Sequence, residues 1–262
     1  MFAVAYKGFM KYTIDKASFL KRIAAALLDF IILCIIVAGS AALMSWITGY
    51  NKYSKQLDER TAYYQEQYGI KIDITAEEYE QLTPEEKENY NKADAEFSKD
   101  EIANKAYQMI LSLSLVIISI GVLVAYIVVD FVFPLIFKNG QTLGKKIFGI
   151  AVMHTNGVKI KTEGLFIRTI LGKYTIETMI PVLVILMAFF NILEIGFAVL
   201  LIGLVILELA LLLLTQYHTP IHDALAKTIT VDLTTQKIFN TEQELIEYKE
   251  QLAKEEAEKK AY

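Results

Sequence analysis

Four stretches of this 262-residue chain are long, apolar and almost free of charge. They run from Ile23 to Ile47, from about Tyr107 to Phe137, from Tyr174 to Phe190 and from Ile195 to Thr215. A helix needs about 20 mostly apolar residues to cross roughly 30 Å of hydrocarbon. Inside that layer the backbone has to satisfy its own hydrogen bonds, so each stretch reads as a helix. Four such runs leave too little polar sequence to cover them in water. Hydrophobic residues make up 54% of the chain and charged ones 21%, at a mean hydropathy of +0.37, so the two kinds are segregated. This pattern excludes a water-soluble globule and a disordered chain. The single cysteine, Cys34, excludes an intramolecular disulfide. A net charge of −4 argues against a nucleic-acid partner.

The charged segments set an expected orientation. Residues 1–22 carry five Lys and Arg against Asp15, and residues 138–173 carry seven against Glu163. Residues 49–105 carry eight basic and fourteen acidic residues. Basic loops stay in the cytoplasm. The expected order is therefore a cytoplasmic segment (1–22), a first span (23–48), an extracytoplasmic helical insertion (49–105) and a second span (106–137). A cytoplasmic loop (138–173), two further spans (174–190 and 195–216) and a cytoplasmic tail (217–262) follow. A tight turn at Asn191–Glu194 joins the last two spans. The location is a cell membrane, with both termini cytoplasmic. A cleaved leader is the weaker reading of the first run, because Asp29 interrupts it and over 20 residues precede it.

The polar pieces have their own signals. Thr75-Ala-Glu-Glu78 and Thr83-Pro84-Glu-Glu86 are capping boxes that predict short helices in the insertion. Asn156-Gly157, flanked by alternating apolar residues within Ile147–Lys161, predicts a β-hairpin. Thr228–Asp232 has the β-branched character of a third strand. Glu163–Lys173 reads as an amphipathic helix lying at the interface. Gly140-Gln-Thr-Leu-Gly144-Lys-Lys146 lacks the spacing of a phosphate loop, and its lysines are expected to meet anionic headgroups. The tail, from the capping box Thr241-Glu-Gln-Glu244 to about Lys259, reads as a solvated, charged helix. The fold class is an all-α polytopic membrane protein. It is a four-helix transmembrane bundle with a small helical extracytoplasmic insertion and a short cytoplasmic β-hairpin.

A few charges escape the segregation. Arg22 and Asp29 lie seven residues apart, on one helix face, and Asp130, Glu177 and Glu208 sit in the other spans. Counted from the flanking basic residues, the four carboxylates share a similar depth. An ionisable group within a membrane marks a pathway or a packing network, and a carboxylate there holds a proton or shares a cation. Arg22 and Arg168 are the evident partners. His218 and His222 have the i,i+4 spacing of a zinc pair, but Pro220 breaks the register, so no metal site is expected. Asp223 either caps the turn that follows or pairs with a basic residue. No nucleophile elbow and no His-Glu-x-x-His is present, so neither an enzyme nor a cofactor is expected.

These residues resemble the RDD family of membrane proteins. The likeness lies in Lys21-Arg22-Ile-Ala-Ala-Ala-Leu-Leu-Asp29, Gly140–Lys146 with the hairpin after it, Arg168, and His222-Asp223-Ala-Leu-Ala-Lys-Thr228. It covers the spans and the central loop but neither the insertion nor the tail. It implies that Arg22, Asp29 and Asp223 are the name-giving positions, and that transport, sodium/proton antiport included, is the activity. The leading expectation is a small transporter in the lipid bilayer. It exchanges sodium ions for protons at Asp29, helped by Asp130, Glu177 and Glu208, with Arg22 competing for the cation. Four helices make a thin wall, so a homo-oligomer is expected. The alternative is a non-transporting scaffold in which Arg22, Asp29 and Asp223 form a salt-bridge network. In that reading a protein partner docks on the insertion or the tail.

Overall fold

The computed structural model describes residues 14–189, 193–215 and 217–260. Among these described residues, four helices are long and apolar enough to cross a membrane. They are α1 (Phe19–Thr48), α5 (Glu101–Phe137), α7 (Thr162–Phe189) and α8 (Ile195–Leu214). Residues 191 and 192 of the turn expected at 191–194 lie outside the described residues. The chain forms two compact units, one comprising Ile36–Gly121 and the other the residues on either side of it.

In the Ile36–Gly121 unit three polar helices follow α1: α2 (Tyr50–Tyr68), α3 (Ala76–Glu80) and α4 (Pro84–Phe97). Gly49 and Gly69 bound α2 in left-handed conformations, which only glycine adopts without strain. Both capping boxes form as their spacing predicts. Tyr64, Ile72 and Ala93 make a small core, with Tyr68, Ile70 and Phe97 against it. Asp100 ties this core to α5. Its Oδ1 accepts the Ile102 and Ala103 N–H groups at 2.9 and 2.8 Å, capping the helix. Its Oδ2 accepts the Arg60 guanidinium and, at 3.2 Å, the Tyr64 hydroxyl.

The other unit is organised by a small sheet. Strand β1 (Ile150–His154) pairs antiparallel with β2 (Thr228–Asp232), Ile150 opposite Asp232 and His154 opposite Thr228. Helix α6 (Leu143–Ile147) comes just before β1, and the spans α7 and α8 and helix α9 (Ile221–Ala226) lie between the two strands. Lys16 bridges to Val231 on the far edge of β2. The Lys21 ammonium donates to Asp232 at 2.6 Å and, with the Thr234 N–H, holds that carboxyl down at about 2. The final helix is α10 (Glu242–Lys260).

The sheet corrects the expected hairpin. The Asn156-Gly157 turn is present, with the Gly157 N–H donating to the His154 carbonyl at 2.9 Å. Beyond it the pairing is a single bridge, Met153 to Lys159. Residues 158–161 are too few before α7 begins at Thr162, so β1 takes the β-branched segment 228–232 as its partner. The separate interfacial helix over Glu163–Lys173 is also corrected, since those residues belong to α7 without a break. Nor is the tail helix wholly solvated. Leu245 in its second turn is buried with Val158 and Phe239, and Tyr248 packs against them.

Two stretches wind as wider π-helices: Ile127–Val132 in α5 and Ile167–Met179 in α7. In each the closing N–H reaches five residues back, Phe133 to Val128 and Ile180 to Thr175. Each ends two residues before a proline, Pro134 or Pro181. A helical proline offers no N–H to the carbonyl four residues earlier and crowds it. Those carbonyls belong to Asp130 and Glu177. That of Asp130 accepts the Thr169 hydroxyl of α7 at 2.8 Å. Such turns are frequent at functional sites, and these two carry Asp130, Arg168, Lys173 and Glu177.

Asp100→Ala removes a cap and two side-chain partners at once. It is expected to cost about 2 kcal/mol of local stability. Hydrogen exchange in α2 and α4 should accelerate roughly 30-fold, and an unchanged rate would mean that Asp100 does not hold this unit together.

Candidate functional site

The motif Gly140–Lys146 builds a carboxylate seat. Gly140 has φ +61°, and a Cβ there would fall 2.8 Å from the Val152 carbonyl oxygen. The turn therefore lies directly on β1. The Gln141 amide donates to the Ile150 carbonyl at 2.8 Å, fixing the turn to the strand. Thr142 is the N-cap of α6. Its hydroxyl donates to Asp29 of α1, and the Gly144 N–H donates to the other carboxylate oxygen at 2.7 Å. The Lys145 ammonium stands 3.7 Å from the same carboxylate. A Cβ at Gly144 would meet the Ala25 carbonyl oxygen at 2.3 Å, so only glycine lets α6 approach α1 this closely. The glycine-rich segment cradles an anion, and that anion is the protein's own Asp29.

Helix α9 is seated the same way. Its first N–H groups point at two carboxylates from the spans. Ile221 N–H donates to Glu208 of α8 at 2.9 Å, and His222 N–H donates to Glu177 of α7 at 2.7 Å. Gly172 allows the close packing, because a Cβ there would come within 2.5 Å of the His222 Cβ.

An ion-paired layer completes the site. Arg168 Nε donates to Asp223 at 2.8 Å, and the Thr228 hydroxyl donates to the same oxygen at 2.5 Å. Arg168 Nη2 lies 3.0 Å from His222 Nε2, whose other ring nitrogen lies 2.7 Å from Glu177. A guanidinium only donates, so Nε2 accepts and Nδ1 carries the proton toward Glu177. The ring is neutral, consistent with burial and then the Arg168 charge pushing its pKa down. Burial alone would raise the Asp223 carboxyl, but the Arg168 charge, with the Arg168 and Thr228 hydrogen bonds, outweighs it and holds the group below the usual carboxylate range. The Lys173 ammonium donates to Asp130. Asp130, Arg168, Asp223 and Asp29 are all buried, at 2%, 3%, 4% and 7% exposure.

The carboxylates divide into two groups. Asp29, Asp130 and Asp223 line a cavity of about 330 Å³ together with Arg22, Lys145, Arg168, Lys173 and His222. Glu177 and Glu208 line a separate, mostly apolar groove of about 310 Å³ beside Pro181 and Ile221. Arg22 is not the partner of Asp29, and Asp223 pairs with Arg168 instead. Arg22 Nη1 donates to the His218 carbonyl at 3.4 Å, and its buried Nε has no partner among the described residues. Among the described residues no set of three or more His, Cys, Asp and Glu is placed to hold a metal ion.

Several participants were not singled out from sequence. Lys145 and Lys173 read as surface lysines, yet they face Asp29 and Asp130. Lys146 alone of the motif's lysines stays exposed, over the Phe137 ring at 4.0 Å. Thr169 carries no sequence signal of its own, and the motifs that contain Thr142 and Thr228 do not mark their hydroxyls as donors to Asp29 and Asp223.

Lys145 gives the site a pH signature. Burial, then the Lys173 and Arg168 charges, lowers its pKa from 10.5 to about 8. The folded protein gives up this proton before the unfolded chain does, so its stability contribution rises as pH climbs from about 8 toward 10.5. Thermal unfolding of the wild type and of Lys145→Met across this range should show the rise in the wild type only, by roughly 3 kcal/mol. Parallel profiles would contradict the buried ammonium.

Among models of known families, that of the RDD family matches residues 16–227. No curated protein and no solved structure matches the chain. The matched region takes in the seat of Asp29, the Arg168–Asp223 pair and all four spans. The chain is a multi-pass membrane protein and belongs to the RDD family.

Proposed function

We propose that the protein exchanges a monovalent cation, sodium, for protons across the membrane, with Asp130 as the exchanging carboxylate. The observation that supports this reading is the Asp130–Lys173 pair in the wall of a charged cavity within the spans. The other membrane carboxylates are committed to backbone N–H groups: Asp29 to Gly144, Glu177 to His222 and Glu208 to Ile221. The Asp130 side chain faces an ammonium on a flexible stem. When Lys173 loses a proton it vacates the carboxylate, and a sodium ion takes its place without a change in net charge. Lys173 therefore fills the competing role that Arg22 holds in the sequence reading. Lys145, 3.7 Å from Asp29, is a second proton-holding group of the same cavity.

The basic excess of residues 138–173 supports a cytoplasmic position for that loop, with both termini on the same side. It is consistent with a cell membrane location and with residues 49–105 outside. Helix α8 contributes no buried residue, which supports a homo-oligomer sharing this face.

A scaffold role is the second reading. It is favoured by the same commitment of Asp29, Glu177 and Glu208 to backbone groups, with a partner docking on the insertion or the tail. Proteoliposomes loaded with a pH dye separate the two. Exchange predicts sodium-dependent proton movement that Asp130→Asn abolishes and that Lys173→Gln shifts in pH profile, with thermal stability nearly retained. No flux from the wild type, or undiminished flux in Asp130→Asn, would contradict it.

A further inference from the structure

The charges around the 330 Å³ cavity do not cancel. Asp29, Asp130 and Asp223 are matched by Lys145, Lys173 and Arg168. His222 accepts from Arg168 and is neutral. Arg22 is a fourth cation, in the first turn of α1. Its one side-chain hydrogen bond among the described residues is the 3.4 Å contact to the His218 carbonyl, and its buried Nε has none. An uncompensated guanidinium within a span is costly, and an anion in reach would relieve it. A guanidinium also presents several donors in one plane, a match for phosphate oxygens.

The walls beside Arg22 are apolar. Phe19, Ile23, Phe30 and Leu33 follow one another along one side of α1, and Leu212 of α8 faces the same cavity. Phe19 and Phe30 are 67% and 61% exposed. A basic recess with an apolar flank that continues into the lipid-facing surface suits an amphiphile, whereas a free anion makes no use of the flank. We propose that this recess binds an anionic phospholipid, its phosphate on Arg22 and an acyl chain along Phe19, Ile23 and Phe30. The inference does not depend on the exchange reading, because it concerns the cavity's unmatched cation and its apolar flank.

Native mass spectrometry of the full chain, titrated with phosphatidylglycerol or phosphatidylcholine of the same acyl chains, tests the proposal. The wild type is expected to bind phosphatidylglycerol at about tenfold lower concentration, the size of one charge-assisted contact. Arg22→Gln should erase this preference, while Lys146→Gln, an exposed basic control, should keep it. Equal binding of the two lipids by the wild type overturns the proposal, as does a preference that survives Arg22→Gln or vanishes in Lys146→Gln. Displacement of the lipid by millimolar inorganic phosphate assigns the recess to a free anion and also overturns it. Should Arg22→Gln not be recovered folded, Ile23→Trp fills the flank without touching the charge. It should weaken phosphatidylglycerol binding several-fold, and unchanged binding overturns the proposal.

Discussion

A helix that begins against a membrane span exposes several N–H groups that neither water nor its own turns can satisfy. In this protein the spans supply the acceptors. Asp29 of α1 takes the start of α6, and Glu177 of α7 with Glu208 of α8 takes the start of α9. The interaction is mutual. The N–H groups and the partial positive charge of the helix start meet the carboxylates in apolar surroundings, and the carboxylates fix where the short helices sit. From those two seats follow the position of β1 immediately after α6, that of β2 immediately after α9, and hence the sheet. The same seats bring Asp223 to Arg168.

What this leaves over is instructive about function. Once three membrane carboxylates are committed to backbone and Asp223 to Arg168, Asp130 is the acid whose side chain is hydrogen-bonded, among the described residues, by a lysine alone. The π-helical turns around it move Asp130, Arg168 and Lys173 off the register of a regular helix, and Pro134 and Pro181 account for where those turns stop. The proposed exchange thus centres on one acid–lysine pair, where the sequence points to Asp29 helped by Asp130, Glu177 and Glu208.

The spans were legible because lipid demands about 20 uninterrupted apolar residues, and nothing soluble does. The capping boxes at Thr75 and Thr83 were legible because capping is local. The partners of the buried charges were not. Whether Lys145 points to lipid or to Asp29 depends on a turn that wraps α6 against α1, and Gly144 permits that approach without announcing it. Likewise the hairpin signal at Asn156-Gly157 was sound as a turn. Strand pairing was settled instead by the few residues left before α7 and by the β-branched run at Thr228–Asp232. Arg22 stands out in the sequence as a charge of interest, but its face of the helix does not determine its partner.

The packing of the short helices on the spans depends on the seating of Asp29 at the start of α6. A double-mutant cycle between Asp29→Asn and Thr142→Val, read as thermal stability in lipid nanodiscs, measures that contact directly. It predicts that the two losses are strongly non-additive, with a coupling of about 1.5–3 kcal/mol for a buried, charge-assisted hydrogen bond. Additive losses would show that the carboxylate does not hold the turn, and would contradict the account.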